Sequence, residues 1–291
     1  MRNDHVAGII PVQKKDFSFN FQWPDVLMPI AADLTAIERS VMECAWAGCS
    51  TIWIICNDDI SPLIRLRVGE LVQDPVCLRR MDTFPSHTRR PIPIYYVPIH
   101  PRHRNRLDSF GWCILYGALT AKKATLKFSE HLTPKRYYVS FPYSAYDPSI
   151  LREYRNKISN EKGFFLRYEN KTIKDGALLG FSFNNEDFIK FKKVVRSETT
   201  KMFKNTFSKE MPSEKLPPSE RYSGRYFTLD RIFRDANVEE GFILDVPWFY
   251  DISKWTTYAE YIGSEHQKQV QRPNKLFLSP RKWNKIGVDD E

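Results

Sequence analysis

Residues 8–57, GIIPVQKKDFSFNFQWPDVLMPIAADLTAIERSVMECAWAGCSTIWIICN, carry the pattern on which the fold of this chain turns. A short apolar strand, Gly8 to Val12, crosses a loop to the apolar turn Val26 to Ile30. A helix follows, with Ile37, Val41, Cys44 and Ala45 at spacings of three and four, and Gly48 closes it where a left-handed residue is easiest to place. Thr51 to Cys56 is β-branched and apolar enough to be buried on both faces. The order is strand, helix, strand, which starts a parallel sheet.

The same pieces resemble the N-terminus of the nucleotide-diphospho-sugar transferases, specifically the sugar-phosphate nucleotidyltransferases (pyrophosphorylases). There a first strand runs into a Gly-rich loop ending in Arg, then a Pro-Lys-x-Leu-Leu-Pro-Ile turn, a helix, an Ala-Gly and a second strand. Pro24, Leu27, Met28, Pro29, Ile30, Ala47 and Gly48 match this pattern. The loop departs from it, with Gln13, Lys14, Lys15, Asp16, Phe17 and Ser18 where the family has glycines and Arg, and Asp25 where it has the turn lysine. Glycines serve such a loop because backbone N–H groups must approach phosphates closely. Gln13, Lys14 and Lys15 are the phosphate-binding candidates left in it, the lysines as point charges, and a solvated surface loop is the plainer alternative.

Three later segments extend the resemblance. DSFGWCILYGA, residues 108–118, stands where the family has a Leu-Gly-Thr-Ala turn entering a helix, and the resemblance puts Gly111 against the nucleobase. RYYVSFPYSAYDPSILR, residues 136–152, has the shape of the family's buried strand, its Gly-Asp and its Asp-Pro helix start. Pro142 and Tyr143 stand on the Gly-Asp, so the metal-binding carboxylate is missing there. VPWFYDISKWTTYAEYI, residues 246–262, resembles the late Trp-x-Asp-Ile segment, which puts Asp251 on the family's second metal-binding aspartate. The resemblance therefore implies at most weak Mg²⁺ binding, with Asp251 as its protein ligand; capping of the helix near Lys254 is the alternative role for this residue. Asp147, before Pro148, reads as a helix N-cap.

The resemblance covers most of residues 8–262 and implies an α/β fold. It is Rossmann-like, with a mixed, mainly parallel sheet, helices on both faces, and a relation to the GT-A glycosyltransferases. Strands are expected near 8–12, 51–56, 94–98, 136–141, 178–183 and 242–246, with a pocket at their C-terminal ends. Residues 1–262 are expected to form this nucleotidyltransferase-like domain and residues 263–291 a basic extension, with Lys268, Arg272, Lys275, Arg281, Lys282 and Lys285. Residues 186–209 read as an amphipathic helix whose Phe188, Phe191, Val194 and Val195 face the sheet.

Charge narrows the partners. The chain of 291 residues carries a net +9, more basic than an enzyme acting on small metabolites requires. Arg65, Arg67, Arg79, Arg80, Arg89, Arg90, Arg102, Arg104 and Arg106 fall in residues 65–106, a reach without lysine. Arginine suits bidentate phosphate contacts, so the expected partner is a polyanion. It is either a nucleotide or nucleotide sugar, met by Arg102, Arg104 and Arg106, or a nucleic acid spread along residues 65–106. No run is apolar and long enough for a membrane span, and no signal-peptide layout opens the chain. Five cysteines without metal-type spacing read as reduced core thiols; the expected setting is cytoplasmic, the host cytoplasm if the chain is viral.

Three functions stay open at this level. One is a divergent nucleotidyltransferase that binds a nucleotide or nucleotide sugar and transfers a nucleotidyl or glycosyl group. Another is a GT-A-like glycosyltransferase acting on nucleic acid, and the third is a non-catalytic binding or structural module, of the kind reused in viruses. The catalytic residues are not identified by any motif, and neither Asp58 nor Asp59 reads as more than loop.

Overall fold

The structure, a computed structural model, describes residues 5–12, 24–78, 91–99, 110–160, 162–199, 202–204, 210–212 and 228–270. Strand β1 (Val6–Pro11) leads through helix α1 (Ala36–Trp46) to β2 (Thr51–Cys56), the βαβ unit expected from residues 8–57. Then come α2 (Ser61–Val68), β3 (Leu71–Gln73), β4 (Pro91–Pro98), α3 (Phe110–Leu126) and β5 (Arg136–Val139). The second half adds β6 (Phe164–Arg167), β7 (Phe181–Asn184), α4 (Asn185–Thr199), β8 (Phe242–Asp245) and α5 (Trp255–Ile262).

These strands form one eight-stranded sheet in the order β8-β6-β7-β5-β1-β2-β4-β3. The sheet is mixed and mainly parallel. Its centre, β5-β1-β2-β4, is parallel, while β7 is antiparallel to both its neighbours and β3 is antiparallel to β4. Six residues of β1 are all buried, consistent with a strand covered on both faces. Neighbouring residues of β1 show what covers each face. A β-carbon on Gly8 would lie 2.8 Å from the Cys44 sulfur of α1, whereas the Ile9 side chain lies beside Gly117 of α3. Because side chains alternate along a strand, α1 and α3 lie on opposite faces.

Helix α1 is buried around its whole circumference. Its start is fixed by Glu38, whose Oε2 accepts from the Thr35 backbone N–H (2.8 Å) and hydroxyl (2.9 Å). At its end Gly48 takes φ +83°, the left-handed conformation expected of it. Arg155 completes that end: it donates to the carbonyls of Ala45 and Trp46 and forms a two-point pair with Asp74 at 2.8 and 3.0 Å. A cation on the last carbonyls of a helix complements its dipole.

Around β6, β7 and α4 the core is aromatic. Phe233 meets Phe181 and Phe191 edge-on at 4.9 Å each, and Tyr137 stacks on Phe183 at 5.2 Å. Phe188 and Phe191 anchor α4 as the periodicity predicts, but the helix does not continue to residue 209. It stops at Thr199, and Met202–Lys204 pairs antiparallel with Glu210–Pro212. No described helix is long and apolar enough to cross a membrane.

Past α5 the chain stays on the domain to Val270, which is buried. His266 stacks on Trp248 with ring centres 4.7 Å apart and shares a 3.0 Å hydrogen bond with the Tyr250 hydroxyl. Trp248 Nε1 donates to Gln269 Oε1 at 2.9 Å.

Candidate functional site

In an open parallel sheet, ligands bind outside the strand C-termini where the strand order reverses. Here the reversal falls between β1 and β5, since β1 connects to β2 on one side and α3 returns the chain to β5 on the other. The described walls of this region are the ends of β1, β2, β4 and β5, the turn Pro24–Ala31 and the first turn of α3. Asn57, immediately after β2, keeps its side-chain oxygen shielded and without a hydrogen-bond partner.

The segments that resemble the family's two metal-binding positions are adjacent. Residues 144–145 pair antiparallel with residues 250–251, Asp251 opposite Ser144, and the Ile252 N–H donates to the Tyr143 carbonyl at 2.9 Å. Asp251 is half-buried, and its Oδ1 accepts from the Ser253 N–H at 3.0 Å, closing a turn ahead of α5. Its side chain does not cap the helix, whose N-cap is Lys254. Tyr143 is only 1% exposed. Its ring meets Phe110 at 6.0 Å, and Phe110 meets Phe141 edge-on at 5.7 Å, so an aromatic wall lines this end of β5. Burial pushes the Tyr143 phenol well above the ordinary tyrosine range, and the Asp25 carboxylate adds to the rise.

Beneath that wall lies a charged network which the sequence reading passed over. Arg39 Nη2 donates to Glu43 Oε2 (2.7 Å) and to the Phe141 carbonyl (2.9 Å). Glu43 also accepts from the Tyr138 hydroxyl (2.8 Å) and the Ser140 hydroxyl (2.7 Å), and the guanidinium lies 4.7 Å over the Tyr146 ring. All five residues are fully buried. Burial favours loss of the Arg39 charge, but Glu43 and Tyr146 together more than offset this and hold the guanidinium above its ordinary value. Both Arg39 hydrogen bonds come from Nη2, while Nε and Nη1 are shielded without a partner among the described residues, so the buried charge is held chiefly by Glu43. Opposite charges at i and i+4 on a helix already expected to pack inside were the available signal.

The candidate residues fall unevenly on this frame. Gln13, Lys14, Lys15, Arg102, Arg104 and Arg106 lie outside the described residues. The chain enters 13–23 from the end of β1 and 100–109 from the end of β4, so both segments start at the same end of the sheet. Gly111 is buried in the first turn of α3, at that end too. Arg65 and Arg67 are engaged locally: Arg67 pairs with Asp33 and Glu38 at 3.1 Å each, and Arg65 pairs with Glu70. Asp147 is the N-cap expected, accepting from Ser149 N–H at 2.9 Å. Asp59 accepts from the N–H of Ile60 in an exposed loop. Cys44, Cys49, Cys56 and Cys113 are buried thiols, and burial pushes the Cys56 thiol up to about 11. No group of three or more His, Cys, Asp or Glu side chains that could hold a metal occurs among the described residues.

A separate groove of about 470 Å³ lies between Trp46, the Ser149–Tyr154 segment and Leu244–Pro247 at the end of β8. Its carboxylate Asp245 is already held by Arg167 at 2.6 and 2.8 Å.

No protein-family model matches the chain. No curated protein matches its sequence. Solved structures do match its fold. A Bacillus anthracis protein assigned as a glucose-1-phosphate thymidylyltransferase, crystallised with sucrose, aligns over 93% of this chain and 98% of its own with a TM-score of 0.56 at 8% identity. A UDP-glucose pyrophosphorylase bound to UDP-glucose aligns over 91% and 99% with a TM-score of 0.51 at 11% identity. The nucleoside-diphosphate-sugar pyrophosphorylase of Vibrio cholerae RC9 aligns over 88% and 100% with a TM-score of 0.50 at 11% identity. The chain has the fold of the sugar-phosphate nucleotidyltransferases over nearly its whole length; identities this low speak to fold alone.

Proposed function

We propose that the protein binds a nucleotide or nucleotide sugar at the C-terminal ends of β1, β2, β4 and β5. One observation carries the reading. The two segments holding Gln13, Lys14 and Lys15, and Arg102, Arg104 and Arg106, both leave the sheet at the end where Gly111 and the Pro24–Ala31 turn lie. Cations on two segments that begin at one end of the sheet suit a diphosphate, and a backbone approach at a glycine suits a planar base. Asn57 supplies an unpaired acceptor at the same end. Arg65 and Arg67 are committed to carboxylates, which takes them out of an extended track for nucleic acid and favours the smaller ligand.

The test is titration with UDP-glucose and with short DNA at several salt concentrations, for the protein and for the triple variant Arg102→Gln, Arg104→Gln, Arg106→Gln. Loss of about tenfold or more in UDP-glucose affinity in the variant, with a shallow salt dependence, is expected. Steep salt dependence with DNA and no response to UDP-glucose would replace this reading by the nucleic-acid one. The melting temperature of the variant should change little, because exposed arginines contribute little to folding.

A further inference from the structure

We infer that this cleft takes its ligand without a divalent cation and does not carry out metal-assisted nucleotidyl transfer; the inference rests on the nucleotide-binding reading above. The fold family implies Mg²⁺, and the residues present do not fit it. Magnesium demands near-octahedral hard oxygen ligands, typically one or two carboxylates together with substrate phosphates. The two positions where the resemblance puts those carboxylates are brought side by side by the 144–145 and 250–251 pairing, so the frame for a clamp is retained. One of them is Tyr143. Its side chain is a phenol, 1% exposed, with its ring packed against Phe110. A neutral phenol in an aromatic wall cannot stand in for an anionic carboxylate. The other, Asp251, already lends Oδ1 to the Ser253 N–H. Of the two matched positions only Asp251 offers a carboxylate, and that one is partly engaged.

The charge beside this position also differs from the family's, here by loss of a cation that would meet phosphate. Asp25 occupies the place of the family's turn lysine, close enough to raise the Tyr143 phenol further. In place of a metal bridge the sequence offers Lys14, Lys15, Arg102, Arg104 and Arg106 as cations for the ligand charge. The consequence for chemistry follows from what nucleotidyl transfer needs. A sugar-phosphate oxygen forms a bond to the α-phosphorus as the bond from that phosphorus to the bridging oxygen breaks, and pyrophosphate departs with the electron pair. Charge accumulates on the leaving pyrophosphate, and neutralising it is the metal's contribution. Binding without turnover is the outcome for a cleft built this way.

Three measurements decide it. Mn²⁺ titrated into the free protein and followed by electron paramagnetic resonance should stay in solution. UDP-glucose and UTP affinities measured calorimetrically in EDTA and in excess Mg²⁺ should agree within about twofold. A Tyr143→Asp variant, shown to be folded by its circular dichroism melt, should gain Mn²⁺ binding. Stoichiometric Mn²⁺ uptake by the unaltered protein overturns the inference, as does a tenfold gain in nucleotide affinity with Mg²⁺. A folded Tyr143→Asp protein that still ignores Mn²⁺ overturns it too, because the tyrosine would then not be what excludes the metal. Should neither nucleotide bind in either buffer, the nucleotide reading fails, and the Mn²⁺ titration still settles the metal on its own.

Discussion

The two faces of β5 are filled in opposite ways. On one side Tyr138 points into the Arg39–Glu43 network of α1, where directional hydrogen bonds converge on the Glu43 carboxylate. On the other side Tyr137 stacks on Phe183 and tilts against Phe188, within a cluster of rings held by area and shape. The first face can be satisfied in few arrangements, and it is the face that touches the Phe141 carbonyl and so the loop leading to Tyr143. The second supplies bulk hydrophobic stabilisation at the side where an antiparallel strand, β7, is inserted. Rigidity at the candidate cleft and stability of the sheet are thus assigned to different faces of one strand.

The sharpest way to break this contrast is truncation on each side. Glu43→Ala leaves Arg39 buried and uncompensated and should lower stability by about 3–5 kcal/mol in urea unfolding. Phe183→Ala should lose a similar amount, about 3–5 kcal/mol, through its cavity. The faces should then separate. Replacing both partners, Arg39→Met with Glu43→Leu, should recover most of the loss on the polar face, since an apolar pair of like volume does not strand a charge. No second substitution restores Phe183→Ala so simply. If the double variant is as unstable as Glu43→Ala, the polar face contributes stability outright and the contrast fails.

A smaller effect is expected from Gly8→Ala on the α1 face. Its added carbon would sit 2.8 Å from the Cys44 sulfur, between β1 and α1. Overpacking of this kind should lower stability by about 1–3 kcal/mol, read as a fall in the urea midpoint. A midpoint equal to that of the unaltered protein would show that α1 can move away from β1, contrary to a tightly fixed polar face.

Alkaline pH probes both faces together. Tyr138 and Tyr146 on the α1 face, and Tyr137 on the other, have phenols raised by burial, with Glu43 adding to the rise for the first two. A group whose folded-state value is raised contributes stability that is complete below its unfolded value and declines as pH climbs past it. Stability should therefore be level up to about pH 10 and fall above it. The expected decline is milder in Glu43→Gln, because one cause of the rise is removed. An unchanged slope in that variant would mean that Glu43 and Tyr138 are not coupled.

The sequence made one half of the sheet more legible than the other. Along β1 and β2 the aliphatic runs, the Ile37-to-Ala45 spacing and Gly48 each follow from a single local rule, and the structure places all of them as read. The insertion of β7 between β5 and β6 depends on pairing between distant segments, for which residues 178–183 carry no local sign beyond being apolar. The cleft was legible only through resemblance. Tyr143 and Asp251 were matched by their neighbours in sequence, and their adjacency follows from strand pairing that a linear pattern does not express. Arg39 and Glu43 were missed because charged residues in a helix are ordinarily assigned to its solvated side.

The hold of Trp248 and Tyr250 on His266 and Gln269 also sets a practical limit. A shortened chain intended for crystals or for fusion to another protein should keep residues through Val270. Cutting at Ile262, where the last α-helix ends, would leave the indole N–H of Trp248 without its acceptor and uncover an aromatic surface that invites association between copies.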